Sequence, residues 1–349
     1  LGELTSTAGR RPLADNAEHI EQLCKLFDLG AALGPLRRVP GGFHHCMWRV
    51  ETQSGCFAVK QLASDMDMAN PDIVTQLNAT EVTACEFATR GVPALYALRA
   101  DGTHLQLLDG VGYLVYPWTD ARACHRNGIE ERHAAIVAGT LAQMHSSDIK
   151  VPELSDVPSF PVTAERVVEL VKLARQRNVR YSDILEARLE DILRIVALHA
   201  PALERLAERQ VISHGDLDHK NILWDEAGAP LLIDWESARR LNPTYELLLE
   251  ALDWGGITAH FDARPFTTIL RAYVDAGGVI AEDMIPASSD AIQGAWVSWL
   301  LYNLGRAVGL KDTRQRAIGS SQVDLVLSAL LRMEKQKDRL TEIALQYAS

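Results

Sequence analysis

Apolar and polar positions alternate over two short stretches early in the chain, Cys46 to Glu51 and Cys56 to Lys60, with Thr-Gln-Ser-Gly between them. Alternation on both sides of a polar tetrapeptide predicts a β-hairpin. A second pair, His104 to Leu108 and Tyr113 to Tyr116, flanks Asp109-Gly110, a dipeptide suited to a tight turn. Between the hairpins, the run from about Pro71 to Arg90 reads as a helix stopped by Gly91 and Pro93. A small antiparallel sheet with one helix is therefore expected over residues 1–116.

After Pro117 the apolar period lengthens. Glu130 to His145 carries Val137, Leu141 and Met144 at helical spacing, which marks one buried face. Pro152, Pro158 and Pro161 break the chain, and a largely helical stretch follows over about 163–209. A β-like island, Val211 to Asp234, interrupts the helices before they resume. The last helix shows a stripe at Val323, Val326, Leu330, Met333, Leu340 and Ala344, with Ser320 or Ser321 expected as its N-cap. The pattern predicts an α+β chain whose second part, residues 117–349, is larger and mainly helical.

Composition narrows the function classes. A length of 349 residues suggests roughly two domains, and 47% hydrophobic residues are ample for two cores. No apolar run approaches about 18 residues, and Leu1 to Asn16 lacks a signal-peptide core, so a soluble cytoplasmic protein without a membrane partner is expected. With 35 Lys+Arg against 46 Asp+Glu, a net charge of -11 and no basic stripe, a nucleic-acid partner is not expected. The same balance suits a cationic small substrate. Five cysteines without a C-x-x-C pair read as reduced thiols. His44-His45-Cys46 would point to alternate faces of a strand and so would not converge on one ion.

The island carries the chemistry. Val211-Ile212-Ser213-His214-Gly215-Asp216-Leu217-Asp218-His219-Lys220-Asn221 leads into a hairpin that ends in Ile233-Asp234-Trp235-Glu236. Phosphoryl transfer needs a carboxylate beside the attacking hydroxyl, and an amide oxygen with a second carboxylate to hold magnesium on the phosphates. Asp216, Asn221 and Asp234 supply those three oxygens. His214 reads as a residue that braces the loop.

These segments resemble the catalytic and metal-binding segments of the aminoglycoside phosphotransferase and choline kinase-like family. The resemblance implies a two-lobed protein-kinase-like fold, with Asp216 as catalytic base and Asn221 and Asp234 as Mg2+ ligands. Protein kinases usually carry Lys where Asp218 stands, which disfavours a protein substrate. In Phe57-Ala58-Val59-Lys60, alternation puts Ala58 and Lys60 on one face, where the small Ala leaves room for a purine and Lys60 can reach phosphates. Lys60 looks like the family's phosphate-binding lysine. The family's spacing favours Glu81 as its acidic partner, with Glu86 as the alternative.

Gly41 and Gly42 stand where the family's phosphate-covering loop lies, although an ordinary turn fits them equally. Tyr113 to Asp120 looks like the interlobe hinge, with the Pro117 carbonyl and the Thr119 N–H facing the base of ATP. A shift of one residue would suit GTP. For the acceptor, the resemblance points to the helical segment at about 163–209 and to Trp296, Trp299 and Tyr302. Asp218 and Glu236, with Glu246, Glu250 and Asp253, would add negative potential for ammonium groups. The family suggests an antibiotic as acceptor, such as an aminoglycoside or a nucleoside natural product. The alternatives are a metabolic kinase for choline, homoserine or methylthioribose, and a non-catalytic nucleotide-binding protein.

Overall fold

Helix α1 (Leu13–Leu26) opens the computed structural model, which describes residues 13–39, 45–155, 162–310 and 315–349. Strands β1 (Arg37–Val39), β2 (Cys46–Thr52) and β3 (Gly55–Gln61) follow, then α2 (Pro71–Thr89), β4 (Gln106–Leu108) and β5 (Val111–Pro117). The strands form one antiparallel sheet in the order β1-β2-β3-β5-β4. Both expected hairpins are present. Asp109 and Gly110 take φ of 47° and 74° between β4 and β5, the left-handed pair that a two-residue hairpin loop demands.

The chain divides into two compact units. One contains Leu1–Arg122, Ile149–Ser155 and Leu223–Ser237, and the other contains Ala123–Asp148, Asp156–Ile222 and Ala238–Ser349. In the first, side-chain alternation gives the sheet two apolar faces. Trp48, Val50, Val59, Tyr113 and Val115 pack with Ile20, Leu23 and Cys24 of α1. Leu62 and Leu114 pack with Leu77 of α2. Helix α1 is a correction to the expected single helix beside the sheet. Helix α2 starts where Asn70 accepts the Asp72 N–H and Pro71 sets the first turn. The segment from Leu223 joins this unit through Leu232, which donates to Pro93 O at 2.7 Å and accepts from Leu95 N at 2.8 Å.

Beyond β6 (Arg122–Ala123) lie α3 (Glu131–Ser146), α4 (Ala164–Gln176), α5 (Ser182–Ala187) and α6 (Leu189–Leu206). The island contributes β7 (Val211–Ser213), β8 (Ile222–Trp224) and β9 (Pro230–Leu232), and β10 (Arg239–Leu241) pairs back on β7. Helices α7 (Pro243–Trp254), α8 (Ala263–Asp275), α9 (Ile285–Ala307) and α10 (Arg316–Leu345) complete the chain. The second unit's core joins Val167 and Leu170 of α4, Leu185 of α5 and Ile192 of α6 to Val297 and Leu300 of α9 and Val323 and Val326 of α10.

Helix α10 begins at Arg316, so Ser320 and Ser321 lie inside it and are not its N-cap. The crossing with α9 explains the early start. A Cβ on Gly319 would lie 2.6 Å from Ala307 N and 2.8 Å from Asn303 O, so α10 meets α9 backbone to backbone one turn before the apolar stripe begins. Among the described residues, no helix is long and apolar enough to cross a membrane.

Candidate active site

The loop between β7 and β8 holds Asp216 and Asn221, and its shape is imposed from α7. Gly215 sits at φ 77°, a left-handed conformation that glycine adopts without strain, and this turns the chain sharply after the buried Ser213 and His214. Helix α7 presents Glu246, Glu250 and Asp253 at helical spacing on one face. Glu246 Oε1 accepts Gly215 N at 2.7 Å, and Glu250 Oε1 accepts Leu217 N at 2.8 Å. Asp253 Oδ2 lies 3.1 Å from His219 Nδ1, and Trp254 Nε1 donates to Leu217 O at 3.1 Å.

Helix α7 is itself fixed by Asn242. Its Oδ1 accepts Thr244 N and Tyr245 N, while its Nδ2 donates to Leu206 O and Arg209 O after α6. One side chain thus satisfies the orphan groups of two helix ends.

Within the loop, Asn221 Nδ2 donates to Asp216 O at 2.8 Å and to Asp216 Oδ2 at 3.0 Å. His214 Nδ1 accepts Asp216 N at 3.3 Å, the bracing expected of it. Asp216 is exposed. Asp218 accepts Lys220 N at 2.8 Å and Lys220 Nζ at 2.5 Å.

The carboxylates behind the loop are shifted in opposite directions. Burial pushes the Glu246 carboxyl up, but the hydrogen bond from His145, with those from Ser213 and Gly215, outweighs it and holds Glu246 below its usual value. Burial likewise raises Asp253, and the His219 hydrogen bond and Arg126 charge outweigh it. Glu250 shifts the other way. Burial, with the charges of Asp216, Glu246 and Asp253, drives it well above the ordinary carboxyl value. Sequence reasoning grouped these three with groups that attract an ammonium, whereas Glu246 and Glu250 are buried and committed to loop amides. Asp218, His219 and Asp253 bring ligand atoms within 4.8 Å of one another, but Arg126 and Lys220 already pair with their carboxylates.

The first unit holds the other half of the candidate residues. Lys60, on β3, is buried, and its Nζ donates to Asp234 Oδ1 at 2.6 Å and to Glu236 Oε2 at 3.2 Å. Burial lowers the ammonium's pKa, but the charges of Glu236 and Asp234 more than reverse it. Burial pushes the Glu236 carboxyl up, and the His45 hydrogen bond and Lys60 charge overcome this and hold it at about 2. Asp234 adopts φ 64°, an uncommon conformation for a residue with a side chain. Its neighbour Trp235 is buried against Phe87 of α2, with ring centroids 5.5 Å apart.

Glu81 is buried on α2 but directed elsewhere. Its Oε1 accepts the Tyr116 hydroxyl at 2.5 Å and its Oε2 accepts Ala97 N at 2.7 Å. Burial raises its carboxyl, and Lys60 acts on it through its charge. Glu86 pairs with Arg90 at 2.6 Å. His45, which the sequence offered only within a His-His-Cys run unsuited to a metal, donates to Glu236, and Tyr116, at the edge of the expected hinge, completes the surroundings of Glu81. Neither position signalled these partners.

Pro117 closes β5 opposite Phe57, and Trp118 N donates to Cys56 O at 3.0 Å. Thr119 Oγ1 accepts Ala121 N, and the Arg49 guanidinium lies 5.0 Å above the Trp118 ring. Gly41 and Gly42 lie outside the described residues. On α9, Trp296 packs at the edge of the core, while Trp299 stacks on Tyr302 with centroids 5.2 Å apart and 40% of Trp299 exposed. Arg306 stands 5.5 Å from the Tyr302 ring centroid.

In the second unit, Asn221 has its N–H end committed to Asp216, so its amide oxygen is the end a hard cation would meet. In the first unit, Asp234 offers carboxylate oxygen, a donor of the same hard type. An ammonium beside that carboxylate adds the fixed positive charge that phosphate oxygens require.

Comparison with known proteins gives the fold and the family. A spectinomycin phosphotransferase, APH(9)-Ia, solved with ADP and spectinomycin, superposes with a TM-score of 0.65 at 13% identity, over 91% of this chain and 98% of that one. A choline/ethanolamine kinase family protein from Mesorhizobium loti gives 0.61 at 19% identity, over 95% and 99%. An aminoglycoside phosphotransferase from Alicyclobacillus acidocaldarius gives 0.58 at 15% identity, over 99% and 98%. These likenesses show a protein-kinase-like fold. No curated protein matches the sequence significantly. Residues 35–284 match the model of the phosphotransferase enzyme family. The chain therefore belongs to the phosphotransferase enzyme family, whose chemistry is transfer of a phosphoryl group to a hydroxyl.

Proposed function

We propose that this enzyme transfers the γ-phosphoryl group of ATP, with GTP as the alternative donor, to a hydroxyl of an antibiotic such as an aminoglycoside or nucleoside natural product. The observation that carries the reading is the 2.6 Å contact of the Lys60 ammonium with the Asp234 carboxylate, two residues 174 positions apart. A buried lysine beside a carboxylate suited to a cation is an arrangement for gripping phosphate.

The residues divide the work. Lys60 faces the phosphates, and the Pro117 carbonyl and Thr119 N–H meet the base. Asn221 and Asp234 would supply the oxygen ligands of Mg2+, which when bound would offset the charge of the phosphate oxygens. Asp216 accepts a hydrogen bond from the acceptor hydroxyl. As the oxygen attacks Pγ and the bond from Pγ to the β-phosphate oxygen breaks, the proton passes to Asp216 and ADP or GDP leaves. The transition state is loose, so positioning and electrostatics matter more than the strength of the base.

The spectinomycin enzyme's likeness supports an antibiotic acceptor. A metabolic kinase for choline, homoserine or methylthioribose is the second reading. The Mesorhizobium loti likeness and the exposed Trp299–Tyr302 stack favour it, since an aromatic face suits an ammonium. Asp218, Glu236 and Trp296 stand in both readings as candidates for the acceptor's surroundings. The test is a panel of hydroxylated antibiotics and amino alcohols incubated with ATP or GTP and Mg2+, read by mass spectrometry for an added phosphate, beside a resistance panel in a sensitive host. A phosphorylated antibiotic supports the first reading and a phosphorylated amino alcohol the second. Nucleotide binding with no transfer to any acceptor would leave a non-catalytic protein.

A further inference from the structure

A phosphate-binding lysine has four rotatable bonds and needs a fixed anion to aim it. The helix glutamate expected in that role, Glu81, spends its two oxygens on Tyr116 and Ala97. Glu236 takes up Lys60 instead, and it is held in turn. His45 Nδ1 accepts the Ala63 main-chain N–H at 3.1 Å. An accepting Nδ1 carries no proton, so the neutral ring's proton sits on Nε2, which donates to Glu236 Oε2 at 3.0 Å. That same oxygen receives Lys60 Nζ at 3.2 Å.

The bonds close a ring. Ala63 lies three residues beyond Lys60, and β2 follows His45 directly and pairs with β3 through Cys46 and Gln61. The strand that carries Lys60 therefore also sets the height of the imidazole that fixes its anchor.

We infer that His45 is a positioning residue that holds Glu236 as the anchoring carboxylate of Lys60, in place of Glu81. The inference rests on the nucleotide reading above. Asp234 is the oxygen ligand assigned to the cation there, and a carboxylate shared with a cation holds an ammonium less firmly. Glu236 keeps Lys60 aimed at the phosphates, and without His45 it has one fewer fixed donor to define its rotamer.

The test is ADP binding with Mg2+, measured by titration calorimetry in a double-mutant cycle of His45 and Lys60. His45→Ala is expected to weaken ADP about tenfold, the scale typical of a lost supporting partner. His45→Gln, whose amide N–H reaches as far as Nε2, is expected to stay within about threefold of the wild type by restoring that donor. His45→Asn keeps an acceptor for Ala63 but is too short for Glu236, so it should behave as alanine does and serves if the alanine variant does not fold. In a Lys60→Met background, the same His45 changes should alter ADP affinity less than about twofold. Equal losses with and without Lys60, or no loss when Lys60 is present, would overturn the role of His45. Failure of the wild type to bind ADP would instead overturn the nucleotide reading itself.

Discussion

Asn221 grips Asp216 from five residues further along the chain, donating from one amide group to the main-chain oxygen at 2.8 Å and to Oδ2 at 3.0 Å. The aspartate's rotamer is thus set by the residue whose other end suits a cation. Asp216→Asn is expected to lower kcat by about 10²–10⁴, the range for losing a general base, while ADP affinity stays within a few fold. Asn221→Ala should lower kcat at least about tenfold and raise the Mg2+ concentration needed for half-maximal rate. Steady-state kinetics over a magnesium series checks both. Near-normal turnover in the Asp216 variant would remove it from its role.

Glu250 is a buried acid whose folded-state pKa lies well above its ordinary value of 4.5. Its contribution to stability is fully present below that value and is lost as pH rises towards the folded pKa, because the unfolded chain releases the proton first. Glu250→Gln keeps an oxygen for the Leu217 amide and removes the titration. The variant should gain stability relative to the wild type as pH climbs above about 4.5. Denaturant midpoints at pH 4 and pH 8 measure it. A pH-independent difference would mean that Glu250 folds ionised.

Trp235 is 1% exposed and stacks near Phe87, fixing the segment between Asp234 and Glu236 to α2. Trp235→Ala is expected to destabilise the protein by about 3–5 kcal/mol. It should also release Lys60 from its carboxylates, seen as weaker ADP binding under conditions where the variant remains folded. Unfolding curves together with calorimetry distinguish the two effects.

Gly319 permits the close crossing of α9 and α10. Alanine would normally help a helix by about 1 kcal/mol over glycine. Here its methyl meets Ala307 N at 2.6 Å, and overpacking of this kind typically costs about 1–3 kcal/mol. Gly319→Ala should therefore lower the melting temperature, whereas Gly139→Ala on α3, where an added methyl meets nothing within 4 Å, should raise it. Thermal denaturation of the two variants provides the comparison.

Local pattern carried much of the fold. The Asp109-Gly110 turn, the stop of α2 before Gly91 and the opposite faces of Val59 and Lys60 all follow from constraints acting within a few residues. Helix α1 was not expected, although Ile20, Leu23 and Cys24 fall at helical spacing, because its apolar face gains meaning only against a sheet. The partners of the buried charges were not legible. Glu81 and Glu236 both carry carboxylates at suitable places, and what assigns Lys60 to the second is the Tyr116 hydroxyl and the His45 ring, contacts made across 35 and 191 positions of sequence. Likewise, the spacing of Glu246, Glu250 and Asp253 announces a shared helix face but not that this face looks at loop amides.

The dependence of the Gly215–Leu217 backbone on α7 bears on engineering. Residues 213–222, grafted alone into another scaffold, would arrive without the carboxylates that receive their amides, and would relax into some other turn. A transplant that includes the downstream helix, together with the asparagine that seats it, moves the whole fixture, and swaps of acceptor specificity are best built by keeping that pair intact.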